Sequence, residues 1–196
     1  EYDEIDGYLK AHGTSLGAYE GYKLWYLSSV LESFAIADAD LDTAMGFDVN
    51  LLNMAHEDGK EIYEVESVDF QVDMLINVPD ETYAALLKGY SVDNTDLITE
   101  QYSEMYDAWK TGDTAKMEEL NETDMSGFDE TQVALVEDYN NTLLTERNKN
   151  MAEQAEKLAD SGSDVLFVVG SAHFGGDDGI IALLENDGYT CDIVTQ

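Results

Sequence analysis

At 196 residues and 21.7 kDa, the chain is long enough to bury a sizeable core as a single domain. Forty-three acidic residues against nine basic ones leave a formal net charge of -34, which repels nucleic acid and anionic membrane and argues against either as a partner. An apolar fraction of 44% with one proline excludes a disordered chain, a single cysteine excludes an internal disulfide, and no stretch reaches the ~20 apolar residues that span a bilayer.

The predicted elements, in chain order, are mostly helical. Ile5 and Leu9, four apart, predict a short helix, and Gly13, Gly17 and Gly21 mark the loop after it. Leu24, Leu27, Val30, Leu31, Phe34 and Ala35 recur at helical spacing and predict a well-buried helix, with the Trp25 and Tyr26 rings as core. Asp42 or Thr43 is placed to cap the next helix, whose apolar positions Phe47, Leu51, Leu52 and Ala55 lead to a stop at Gly59. Residues 61–65 alternate and predict a short strand. Ser67 caps a helix bearing Phe70, Met74 and Leu75; Pro79 ends it, and Asp80 begins another through Leu87.

Residues 91–121 read as helix with Leu97, Tyr102, Met105, Tyr106 and Trp109 inward and a break at Gly112, followed by a loop to Phe128. Residues 131–160 form one long helix, or two joined near Asn140 and Asn141, ended by Ser161, Gly162 and Ser163. The run Val165, Leu166, Phe167, Val168, Val169 is too apolar for a half-exposed strand and predicts one buried on both faces. A helix to Asn186, a turn at Gly188 and a strand over 190–194 complete the chain, with Cys191 as a small buried thiol. The predicted class is therefore α/β: a helix-rich single domain around a small, incomplete β-sheet, ending in a strand-helix-strand unit. Three strands are few for so many helices. The sheet would be completed by residues missing from the chain or by a second copy in a homo-oligomer.

Ligands of an open α/β sheet gather beyond the carboxyl ends of its strands, and His173 stands there, in Gly170-x-x-His173 followed by Gly175, Gly176 and Gly179. A structural histidine is the competing reading. Glu66 directly follows the strand 62–65, so neighbouring parallel strands would bring Glu66 and His173 to one sheet edge. An imidazole and a carboxylate on one rim share proton transfer or bind a divalent metal ion, although a catalytic metal usually takes three protein ligands. Arg147 is either a surface ion pair or an anion clamp; Gln71, a turn beyond Glu66, is placed to orient the carboxylate. No phosphate-binding loop, Cys-x-x-Cys, Gly-x-Ser-x-Gly or His-Glu-x-x-His occurs.

Two blocks carry a family resemblance. Gly46-Phe47-Asp48, Leu51-Leu52, Val65-Glu66-Ser67 and Gln71, then Glu146-Arg147-Asn148, Met151 and residues 167–174 with Gly176, Gly179 and Gly188-Tyr189, resemble the TraB/GumN family. That family is related to the Tiki proteins, metal-dependent peptidases with two Gly-x-x-His motifs and acidic residues. The resemblance implies a metal-dependent hydrolase of peptides, with Glu66, Arg147 and His173 catalytic. Glu66 and His173 would hold a divalent ion, and Gln71, Asn148 and Gly170 would bind a peptide or small-molecule substrate. It implies a bacterial protein outside the cell or at its surface. Nothing matches the first Gly-x-x-His, since Leu16 stands three after Gly13 and Glu20 three after Gly17, so a chain lacking its first strands, and inactive by itself, is expected. A non-catalytic protein that captures a peptide signal in the same crevice is the alternative.

Overall fold

A computed structural model describes residues 2–42, 46–192 and 194. Among them the chain is 68% helical and contains no strand, so the predicted α/β sheet, its strand-helix-strand terminus and the shared sheet edge are corrected to an all-helical fold. The physical reason lies in partners. An extended segment needs a neighbour ~4.8 Å away to take up its backbone N–H and C=O groups, and no ladder forms among the described residues. Residues 164–170 are irregular, and Leu166 in their middle is 75% exposed. Residues 61–64 behave alike, with Tyr63 63% exposed; of the last predicted strand, 190–192 are irregular and Ile193 lies outside the described residues.

The helices are α1 (Tyr2–Ala11), α2 (Leu24–Asp38), α3 (Phe47–Glu57), α4 (Val68–Asn77), α5 (Asp80–Leu86), α6 (Thr95–Thr111), α7 (Thr114–Asn121), α8 (Glu130–Asn140), α9 (Glu146–Ala159) and α10 (Ile180–Asn186). Their boundaries follow local chemistry. Ser67 Oγ accepts the Phe70 N–H at 3.1 Å to start α4, and Asp113 Oδ1 accepts the Lys116 N–H at 3.0 Å to start α7 after the break at Gly112. Gly46 holds the cap position of α3; Thr43 lies outside the described residues. Between α8 and α9, residues Asn141–Thr145 form a π turn, so the predicted junction at Asn140 and Asn141 is a widened turn within continuous helix.

The chain divides into two compact units, Glu1–Ser103 with Phe128–Val136 and Glu104–Gly127 with Glu137–Gln196. In the first, Ile5, Tyr8 and Leu9 of α1 pack with Leu27 and Leu31 of α2 and with Leu87. The apolar positions predicted for α3 and α4 have no such core: neither helix buries a residue, and Phe47 and Phe70 are exposed. In the second unit, Ala108 of α6, Met117 of α7, Met151 and Ala152 of α9 and Ile180 of α10 are the buried apolar side chains among the described residues. No helix among the described residues is long and apolar enough to cross a membrane.

A polar staple ties α1 to α2. His12 Nδ1 lies 2.9 Å from the Tyr8 carbonyl, and Nε2 lies 2.9 Å from Asp38 Oδ1. Both oxygens only accept, so both ring nitrogens carry protons and the imidazole is cationic. The ring stacks on Phe34 with centroids 4.6 Å apart, and the Tyr8 hydroxyl donates to Asp38 Oδ2 at 3.1 Å. Burial pulls His12 downward, but the Asp38 carboxylate and the Tyr8 carbonyl outweigh it, leaving the group above its ordinary value. A raised value in the folded state means that the stabilisation is complete below the unfolded value of about 6.5 and is lost as pH rises through the folded value. Urea unfolding of the chain at pH 6 and pH 9 should therefore show a loss of stability that His12→Gln reduces. Equal pH dependence in the two proteins would contradict the cationic staple.

Candidate functional site

Residues 171–173 form a 3₁₀ turn, closed by the His173 N–H donating to the Gly170 carbonyl at 3.0 Å. Gly170 has φ -56 and ψ 140, a conformation open to any residue, so the turn itself does not require glycine there. The glycines after His173 are different. A Cβ on Gly179 would fall 2.2 Å from the Gly175 carbonyl oxygen, and one on Gly176, at φ 81, would fall 2.7 Å from Glu118 Oε1. Only bare backbone folds this loop so closely on itself and on α7.

That loop delivers His173 into the unit with 6% of its surface exposed. Its Nδ1 donates to Asn148 Oδ1 at 2.6 Å, and Asn148 Nδ2 donates to the Asp178 carbonyl at 2.9 Å. The Asp178 oxygen can only accept, so the amide presents its nitrogen there and its oxygen to the ring. In its neutral form the imidazole is thereby held as the Nδ1–H tautomer, with its basic lone pair on Nε2. Asn148 is 3% exposed with both ends of its amide engaged, and its position on α9 is fixed by the buried Met151 and Ala152 on the following turn. It therefore orients the histidine.

The remaining predicted residues are placed as follows. Arg147 Nη1 donates to the Leu143 carbonyl at 2.9 Å, inside the π turn, where widened spacing leaves carbonyls to be satisfied by other donors. Glu66 is half-buried just ahead of the α4 cap and accepts from Gln71 Nε2 at 3.1 Å. Glu66 and Gln71 thus come together in the first unit, and His173 and Asn148 in the second. Gly170 is exposed. The Asp178 carbonyl was missed from sequence, because a backbone acceptor has no residue-type signal; the glycine cluster was the visible sign of the close loop behind it.

A model of the TraB/PrgY/gumN family matches residues 1–193. The chain belongs to this family. The match takes in the residues ahead of Gly46 as well as the two blocks that carry the motif resemblance. No curated protein and no solved structure matches the chain significantly.

Whether the residues suit the divalent ion implied by the resemblance to the TraB/GumN family is decided by their donors. Among the described residues no group of three or more His, Cys, Asp or Glu is placed to hold a metal ion. In the second unit His173 Nε2 is one nitrogen donor beside an amide whose oxygen already accepts from the same ring, and this donor set does not make a metal site.

Removing the amide exposes its role. Asn148→Leu leaves the buried Nδ1–H without its acceptor and should destabilise the chain by roughly 1–3 kcal/mol in urea unfolding. Asn148→Asp keeps an acceptor for the ring and should cost less. A loss within about 0.5 kcal/mol for Asn148→Leu, the range of ordinary surface changes, would contradict the assignment.

Proposed function

We propose that the chain is a hydrolase of peptides in which His173 accepts the proton of the attacking water at Nε2. The observation that carries this reading is the 2.6 Å hydrogen bond from Nδ1 to Asn148, which orients the ring and keeps the basic electron pair on the opposite nitrogen. Asn148 is a positioning residue, anchored through Asp178, and the histidine is the group that would touch the reacting atoms. The resemblance to the TraB/GumN family supports peptides as the substrate class. It also supports dependence on a divalent ion, but the described donors do not suit one and no step is drawn through a metal. Arg147 has its Nη1 committed to the Leu143 carbonyl, so a role for it as an anion clamp would use its other guanidinium nitrogens.

The second reading is a protein that binds a peptide without cleaving it. The 6% exposure of His173 and the lack of a three-donor group among the described residues favour it. One experiment separates the two: a mixed peptide library incubated with the chain in divalent salt, with cleavage and retention both read by mass spectrometry. The hydrolase predicts cleavage that falls about 100-fold or more in His173→Ala, the usual worth of a general base. Retention without cleavage, equal in both proteins, would establish the binder and overturn the hydrolase.

A further inference from the structure

A cleft in the first unit lies away from the His173 and Glu66 groups described above. It has a volume of about 560 Å³, within the range of small-molecule sites, and runs between α1, the 3₁₀ turn Leu16–Tyr19, the start of α2 and the end of α5. The turn is tied to α1 by the Leu16 N–H, which donates to Asp6 Oδ1 at 2.8 Å. Ile5, Leu16, Leu24, Leu27 and Leu87 supply apolar lining. Three tyrosines also line it. Tyr19 and Tyr22 stand edge to face with centroids 6.5 Å apart, on either side of Glu20 and Gly21, whose φ of 91 reverses the chain between them. Tyr22 stacks one face on Tyr26 with centroids 4.8 Å apart but is still 59% exposed, and Tyr2 is 79% exposed, so ring surface of both remains accessible.

The charges select the ligand. Asp3, Asp6 and Glu20 line the cleft, against one cation, Lys88. Asp6 already pairs with Lys10, and the Lys88 ammonium donates to Gln132 Oε1 at 3.0 Å and lies 5.5 Å over the Phe128 ring. The exposed carboxylates Asp3 and Glu20 therefore set the local sign, within a chain of net charge -34. Carboxylates beside tyrosine faces over an aliphatic floor are complementary to an organic ammonium ion with an apolar body: the rings attract the cation and the leucines take the hydrocarbon.

We propose that this cleft binds an amphipathic organic ammonium ion, independently of His173. Three probes of one shape and different charge test it: 4-phenylbutylamine, 4-phenylbutanol and 4-phenylbutyrate, titrated into the full chain at physiological ionic strength and followed calorimetrically. The amine should bind about tenfold or more tightly than the alcohol, a difference of ~1.4 kcal/mol, and the carboxylate should bind more weakly than either. Tyr22→Ala, and separately Asp3→Asn combined with Glu20→Gln, should each weaken the amine severalfold; these side chains are exposed, and circular dichroism verifies that the variants stay folded. Equal binding of amine and alcohol would overturn the proposal. So would amine binding that both variants leave unchanged, which would reduce it to general attraction by an acidic surface.

Discussion

The second unit depends on one short contact, the 2.6 Å hydrogen bond between the ring of His173 and the amide of Asn148. A buried imidazole is costly unless its N–H is satisfied, and here one residue satisfies it while its own amide N–H donates to a backbone carbonyl. The loop that carries His173 folds closely on itself and on α7 because glycine at 175 and 179 lets backbone approach where a Cβ would collide. The glycine cluster, the histidine and the asparagine are thus one device: close packing brings the ring in, and the amide fixes its tautomer. Loss of the amide would remove both the buried hydrogen bond and the orientation of the ring.

Much of the helical framework was legible, because periodicity and punctuation report local physics. Pro79 and Gly112 separate helices where expected, Ser67 caps α4, and the 24–38 helix buries Leu27, Leu31 and Ala35 at the predicted spacing. The sheet was misread for an equally physical reason. An apolar run such as 165–169 reports what a strand would need, a partner on each side, and cannot report whether that partner is there. Val165, Leu166 and Val168 are exposed among the described residues, as are Phe47 and Phe70, which were read as helix core. In both places composition indicated burial where the described chain provides no covering surface.

The site was half legible. His173 stood out as a histidine between an apolar run and a glycine cluster, and Asn148 entered only through the family resemblance, as a substrate contact. Its orienting role comes from a carbonyl thirty positions away, which no residue pattern encodes. Glu66 was tied to His173 through a sheet edge; with no sheet among the described residues, its established neighbour is Gln71. The His12 staple, which unites α1 and α2 through Asp38, carries no local sequence signal, since its partner lies twenty-six positions away.

The account rests on which nitrogen of His173 holds the proton, and nitrogen-15 NMR of the imidazole reads this directly. At a pH where the ring is neutral, the structure predicts protonation at Nδ1, with Nε2 showing the shift of an unprotonated nitrogen, and collapse of this preference in Asn148→Leu. A ring protonated at Nε2, or one that interconverts between tautomers as an exposed histidine does, would contradict it.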